Sequence, residues 1–168
     1  MRITGPTSVL LALTMGSTFA VAAATDAQVA QRKDVTLALA NNLATASLAA
    51  CHAQGRSAVV AVVDRGGNLV AVQRDDNVGP HNTQAAQRKA YTALSTKTAT
   101  RLLAERARST PDTENLNTVN ELLLLGGGVP LLVEGEVIGA IGVAGAGGAA
   151  FDEGCAVAAI ANILPATK

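Results

Sequence analysis

The chain has 168 residues, enough for one ordinary domain and too few for a second core of comparable size. Its 34 Ala and 16 Gly leave 50 positions with almost no side chain, Trp is absent and Tyr occurs once, so the core has to be built from Val, Leu, Ile and Ala. Thirteen basic residues balance thirteen acidic ones and aromatic rings are too few to stack on bases, which excludes a nucleic-acid partner, while 49% apolar and only 15% charged residues exclude a disordered chain.

Residues 1–24 begin with Met1 and Arg2, continue through an apolar stretch from Val9 to Ala24 and end in an alanine run, the pattern of a cleaved secretory signal peptide. A membrane anchor would need about 20 strongly apolar residues, and Thr14, Gly16, Ser17 and Thr18 interrupt this stretch. Cleavage after Ala24 leaves a domain of 144 residues, 25–168, with a formal charge of −1, no Met, one Phe (Phe151) and one Tyr (Tyr91). The expected location is periplasmic or secreted. In an oxidising compartment the two cysteines, Cys51 and Cys155, are expected to form a disulfide; the competing readings are a catalytic thiol or a haem attachment, and Cys51-His52 alone lacks the Cys-x-x-Cys-His pattern of the latter.

From Asp26 to Ala53, apolar residues at three- to four-residue spacing (Val35, Leu39, Leu43, Ala46, Ala50) predict an amphipathic helix stopped by Gly55. The β-branched run 57–63, the Asp64-Arg65-Gly66-Gly67 turn and the run 68–74 predict a β-hairpin. The polar segment Asp75 to His81 contains Gly79-Pro80 and reads as a loop. A helix then starts at Asn82 or Thr83, either of which could cap it, weakens across the Ser95–Thr100 cluster and resumes to Arg108. Residues 109–118 read as a loop. Glu121–Leu125 is a possible strand, 131–133 and 137–143 are firm strands joined by a Glu134-Gly135 turn, and Gly139 and Gly142 mark places where another backbone or a bulge comes close. Asp152 is expected to cap a final helix over 153–163. The order predicts a single α+β domain with an antiparallel sheet of four or five strands and helices packed mainly on one face.

Two readings are open for His81, fixed in direction by Gly79-Pro80: a helix-entry residue or a ligand. His52, at the end of the first helix, suits that helix terminus and is read as structural. The basic run Arg88, Lys89, Lys97, Arg101, Arg106 and Arg108 is either a solvated face or a rim for a carboxylate or phosphate. Tyr91 is core filler or an iron ligand, with Lys89 and Thr92 beside it. Gly126-Gly-Gly-Val-Pro lacks the ending of a phosphate loop, no nucleophile elbow is present, and no His/Cys cluster has zinc spacing.

Five segments in order, Val59-Val-Ala-Val-Val-Asp-Arg-Gly-Gly-Asn68, Arg88-Lys-Ala-Tyr-Thr-Ala93, Gly127-Gly-Val-Pro-Leu131, Ile138-Gly-Ala-Ile-Gly-Val143 and Asp152-x-x-Cys-Ala156, resemble the GlcG/HbpS-type haem-binding or haem-degrading family over about residues 30–164. The resemblance implies a compact domain that assembles as a homo-oligomer and binds haem. Asn77-Val-Gly-Pro-His81 looks like a variant of exported members, which adds weight to His81 as a site residue. With Met removed and the cysteines paired, the iron ligands left to such a protein are His81, Tyr91 and His52, in that order, and Lys89 and Arg88 would meet the haem propionates. The expected function is therefore an exported haem-binding protein that captures or detoxifies haem, with or without slow haem degradation. The rivals are an enzyme or carrier for a small organic acid, with His81 as acid/base and the basic helix as clamp, and a structural oligomer subunit without ligand.

Overall fold

Val59 to Val63 is a run of five β-branched or small residues, every one of them buried, and such a run can exist only where a sheet is covered on both faces. In the computed structural model, which describes Met1 and residues 29–164, this run is β1 (Val59–Asp64) of a four-stranded antiparallel sheet. The others are β2 (Leu69–Arg74), β3 (Gly128–Val133) and β4 (Glu136–Ala144), in the order β2-β1-β4-β3. All the described helices and strands lie within the compact unit 33–168, and the expected signal segment 1–24 lies outside the described residues apart from Met1.

The α+β class and the antiparallel sheet are as expected, but helices cover both faces of the sheet, not mainly one. Val60, Val62, Ile141 and Val143 face α1 (Leu37–His52) and α5 (Ala149–Ile163) in the larger core. The alternate residues Val59, Ala61, Val63 and Ala140 face α2 (His81–Thr96), meeting Ala86, Ala90 and Ala93. Each fully buried Val contributes about 1.5–3 kcal/mol, and the supply of such residues substitutes for missing aromatics.

The approach of α2 depends on three residues in one row across the sheet. Ala61 pairs with Gly142, and Gly142 with Gly128. A Cβ on Gly142 would run into the Ala86 carbonyl oxygen and come within 2.6 Å of the Ala90 nitrogen, and one on Gly128 would strike the Lys89 backbone. The close backbone approach expected at Gly142 is thus the seat of α2.

Several boundaries move, each for a local reason. Helix α1 starts at Leu37 because the Thr36 hydroxyl accepts from the Leu39 amide at 3.2 Å, so the segment from Val29 to Asp34 is not helical. Helix α2 starts one residue early, at His81, because Pro80 already has helical dihedrals; neither Asn82 nor Thr83 caps it. It ends at Thr96, where Lys97 takes a left-handed conformation (φ 51°), and α3 (Thr100–Ala107) resumes as expected. The segment read as a loop contains the single-turn α4 (Pro111–Glu114) and a 3-10 turn, Asn115–Thr118. Glu121–Leu125 is not a strand: its backbone is held by side chains of the helices, and only Leu122 of its four leucines is buried. Glu134 and Gly135, at φ 50° and 77°, make the tight turn between β3 and β4.

Helix α5 begins at Ala149, not at residue 153, because Gly145, Gly147 and Gly148 all adopt positive φ and bring the chain round sooner. Asp152 is therefore inside the first turn and caps no helix. Cys51 of α1 and Cys155 of α5 form the expected disulfide between two fully buried positions, which ends the free-thiol reading. None of the described helices is long and apolar enough to cross a membrane.

Candidate functional site

Helix α2 presents two faces with opposite roles. Its inward face carries Lys89, which is 1% exposed and donates from Nζ to the Val143 carbonyl at 2.9 Å and to Asp152 Oδ2 at 2.7 Å. The second oxygen of Asp152 accepts from the Ala146 amide at 2.8 Å. Lys89 thus ties α2 to β4 and α5 and offers nothing to a ligand. Thr92 is also buried: its hydroxyl donates to the Arg88 carbonyl at 2.7 Å and accepts from the Leu123 amide at 2.8 Å. Both residues, expected at a ligand, hold the framework around it.

The outward face carries His81, Gln84, Arg88 and Tyr91 at spacings of three, four and three, which places them on one stripe. Along the C-terminal half of that stripe runs a cleft of about 430 Å³, within the range of ligand sites. Its floor is Val63, Gly67 and Leu69 from the first hairpin. Gln84, Gln87, Arg88 and Tyr91 form one wall, and Asn120 and Glu121 the other. Gly67 adopts φ 83°, and any Cβ there would come within 2.9 Å of the Tyr91 ring, so glycine lets the hairpin turn sit directly under the phenol. Tyr91 is 37% exposed, and Leu69, at 49%, leaves an apolar surface open beside it.

His81 is exposed but does not line the cleft. Ten residues separate it from Tyr91, about 15 Å along a helix, so the two side chains do not converge on one metal atom. His52 lies elsewhere, its Nε2 2.9 Å from Asp75 Oδ2, in keeping with its structural reading. The basic run does not form one rim. Arg101 pairs with Glu105 and Glu153, whose hydrogen bonds and charges hold its guanidinium above the ordinary value, Glu153 acting most strongly. Arg108 borders a separate cavity of about 160 Å³ with Glu114 and Asn117. Only Arg88 of this run reaches the cleft beside Tyr91, donating from Nη2 to the Leu122 carbonyl. No group of three His, Cys, Asp or Glu residues could hold a metal ion among the described residues.

Sequence reasoning missed Gln84, Gln87, Asn120 and Glu121. The three-four-three spacing along α2 would have found the first wall; the floor and far wall depend on tertiary folding.

A ring-poor sheet pressed between two helical layers, with a lateral cleft between α2 and the first hairpin, describes a class of small two-sided α+β domains with an open surface cleft. Within that class the chain belongs to the family described as haem degrading protein HbpS-like, whose model matches residues 35–161. It is 35% identical over 109 residues to protein GlcG of Escherichia coli K12, an alignment covering 62% of this chain and 80% of GlcG. The crystal structure of HbpS superposes with a TM-score of 0.76 at 37% identity, over 83% of this chain and 96% of that one. A crystal structure of a PduOC–haem complex superposes with a TM-score of 0.71 at 25% identity, over 80% of this chain and 99% of that one.

Proposed function

We propose that the protein captures haem outside the cytoplasm, holding it in the cleft beside Tyr91. The observation that carries this reading is the composition of the cleft: an apolar floor, an exposed phenol and a guanidinium, in a chain whose family is described by haem degradation and whose structural relatives include a haem complex. The donor set fits. Phenolate oxygen is an established haem-iron ligand, Val63 and Leu69 would meet the apolar ring, and the Gly67 contact orients the phenol. Bound haem supplies a redox-active iron; the chain supplies the ligand oxygen, the apolar seat and the orientation. Tyr91 takes precedence over His81 because it borders the cleft, and His81 stands at the far end of the same stripe.

The test is a haem titration followed by absorption. A Soret band is expected in the wild type, shifted or lost in Tyr91→Phe and retained in His81→Ala. Absence of a Soret band in the wild type overturns the haem reading, and an unchanged spectrum in Tyr91→Phe overturns the ligand assignment. Export is tested by cell fractionation with N-terminal mass analysis: a cytoplasmic protein retaining residues 1–24 overturns it. The same reading has the chain acting as a homo-oligomer, supported by exposed Leu37, Phe151 and Val157 on α1 and α5; a monomer by light scattering overturns that part.

A further inference from the structure

Arg88 is the sole cation lining the cleft, and its bonding is incomplete. Among the described residues, Arg88 has no carboxylate within 4.0 Å, a state it shares with Arg56, Arg74, Lys97, Arg106 and Arg108, none of which lines this cleft. Glu121 lines the same cleft without pairing to it. The Arg88 guanidinium gives one hydrogen bond, to the Leu122 carbonyl, and its Nε is shielded from solvent with no acceptor. The bond to Leu122 fixes the guanidinium in place, so the fork is oriented before any ligand arrives. A planar fork of N–H donors matches a carboxylate better than any neutral acceptor. The floor beside it, Val63, Gly67 and Leu69, is apolar.

We propose that Arg88 is the carboxylate-reading residue of this cleft, so that the cleft selects ligands joining a flat apolar body to a carboxylate and discriminates against their esters. The proposal deepens the haem reading, since haem carries two propionates, and it rests on the same cleft being the ligand site.

The test uses 1-pyrenebutyrate and its methyl ester, fluorescent probes with a flat apolar body and no iron, titrated at neutral pH into the wild type, Arg88→Gln and Arg88→Lys. The acid is expected to bind the wild type roughly tenfold or more tightly than the ester, as a charge-assisted hydrogen bond implies. Arg88→Gln is expected to abolish the preference and Arg88→Lys to keep only part of it. Equal affinity for acid and ester, failure of both to bind, or a preference that survives in a folded Arg88→Gln overturns the proposal. If thermal melting shows that Arg88→Gln does not fold, the acid-to-ester ratio in the wild type decides alone. Haem titrated in parallel separates the two readings. Acid preference without haem binding refutes the haem reading and sustains Arg88; haem binding without acid preference does the reverse.

Discussion

Replacing Lys89 by Met removes the ammonium group while keeping most of the side-chain volume. Lys89 and Asp152 side chains are 1% and 5% exposed, so water cannot take the place of the lost partner. Asp152 would keep its bond from Ala146 but carry a buried charge without a cation, and the Val143 carbonyl would lose its donor. Removing one member of a buried pair costs about 3–5 kcal/mol, against a total stability of about 5–15 kcal/mol for a typical domain. For a domain of this size that corresponds to a fall in melting temperature of roughly 10–20 °C. Asp152→Asn, which leaves the lysine unpaired, is expected to cost about as much. The double variant Lys89→Met/Asp152→Asn carries neither charge and still offers an acceptor to Ala146. It should lose only about 1–3 kcal/mol, the cost of the orphaned Val143 carbonyl. Chemical denaturation of the four proteins measures the coupling. A Lys89→Met variant that loses less than about 1 kcal/mol, or a double variant that loses the sum of the singles, refutes the reasoning.

The disulfide closes a separation of 104 residues, so the Cys51→Ala/Cys155→Ala variant should lose about 4.7 kcal/mol in the chain-entropy model; alkylation of either thiol in the unreduced native protein would contradict the bridge. Gly142→Ala drives a methyl group into the Ala86 carbonyl and should cost about 1–3 kcal/mol or more, read by thermal melting, whereas the same substitution at solvent-facing Gly154, where nothing lies within 4 Å, should not destabilise. Thr92→Val leaves the Leu123 amide without its acceptor and should cost about 1–3 kcal/mol. Hydrogen exchange in Thr92→Val should speed up first across 119–125, and uniform acceleration across the domain would count against a local role.

The hairpins were legible because their signals are local: a β-branched run, glycine-bearing turns, and positive φ at Glu134 and Gly135. The break between α2 and α3 was legible too, since the Thr/Ser cluster marks where Lys97 turns left-handed. Glu121–Leu125 misled because a run of leucines looks like a strand, yet Arg88, Thr92 and Thr100 satisfy its backbone groups in place of a neighbouring strand. Asp152 misled for a related reason. An acid just before a helical stretch is a good cap, and nothing near it in the chain reveals that a lysine 63 residues earlier points at it. Composition narrowed the haem-ligand candidates to His81, Tyr91 and His52, and only the hairpin floor sets Tyr91 apart from the other two in the proposed reading. Gly79-Pro80 made His81 conspicuous, whereas Tyr91 gains its position from Gly67 and Leu69, which only tertiary folding brings alongside.

Gly67 puts the hairpin turn under Tyr91, and Tyr91 is the sole tyrosine of a chain that has no tryptophan. The ultraviolet emission of this protein therefore arises almost wholly at the mouth of the cleft. Most domains bury their fluorophores in a core and report unfolding. Here the native emission is a built-in optical probe of the cleft, able to follow occupancy in real time without a label or an engineered residue.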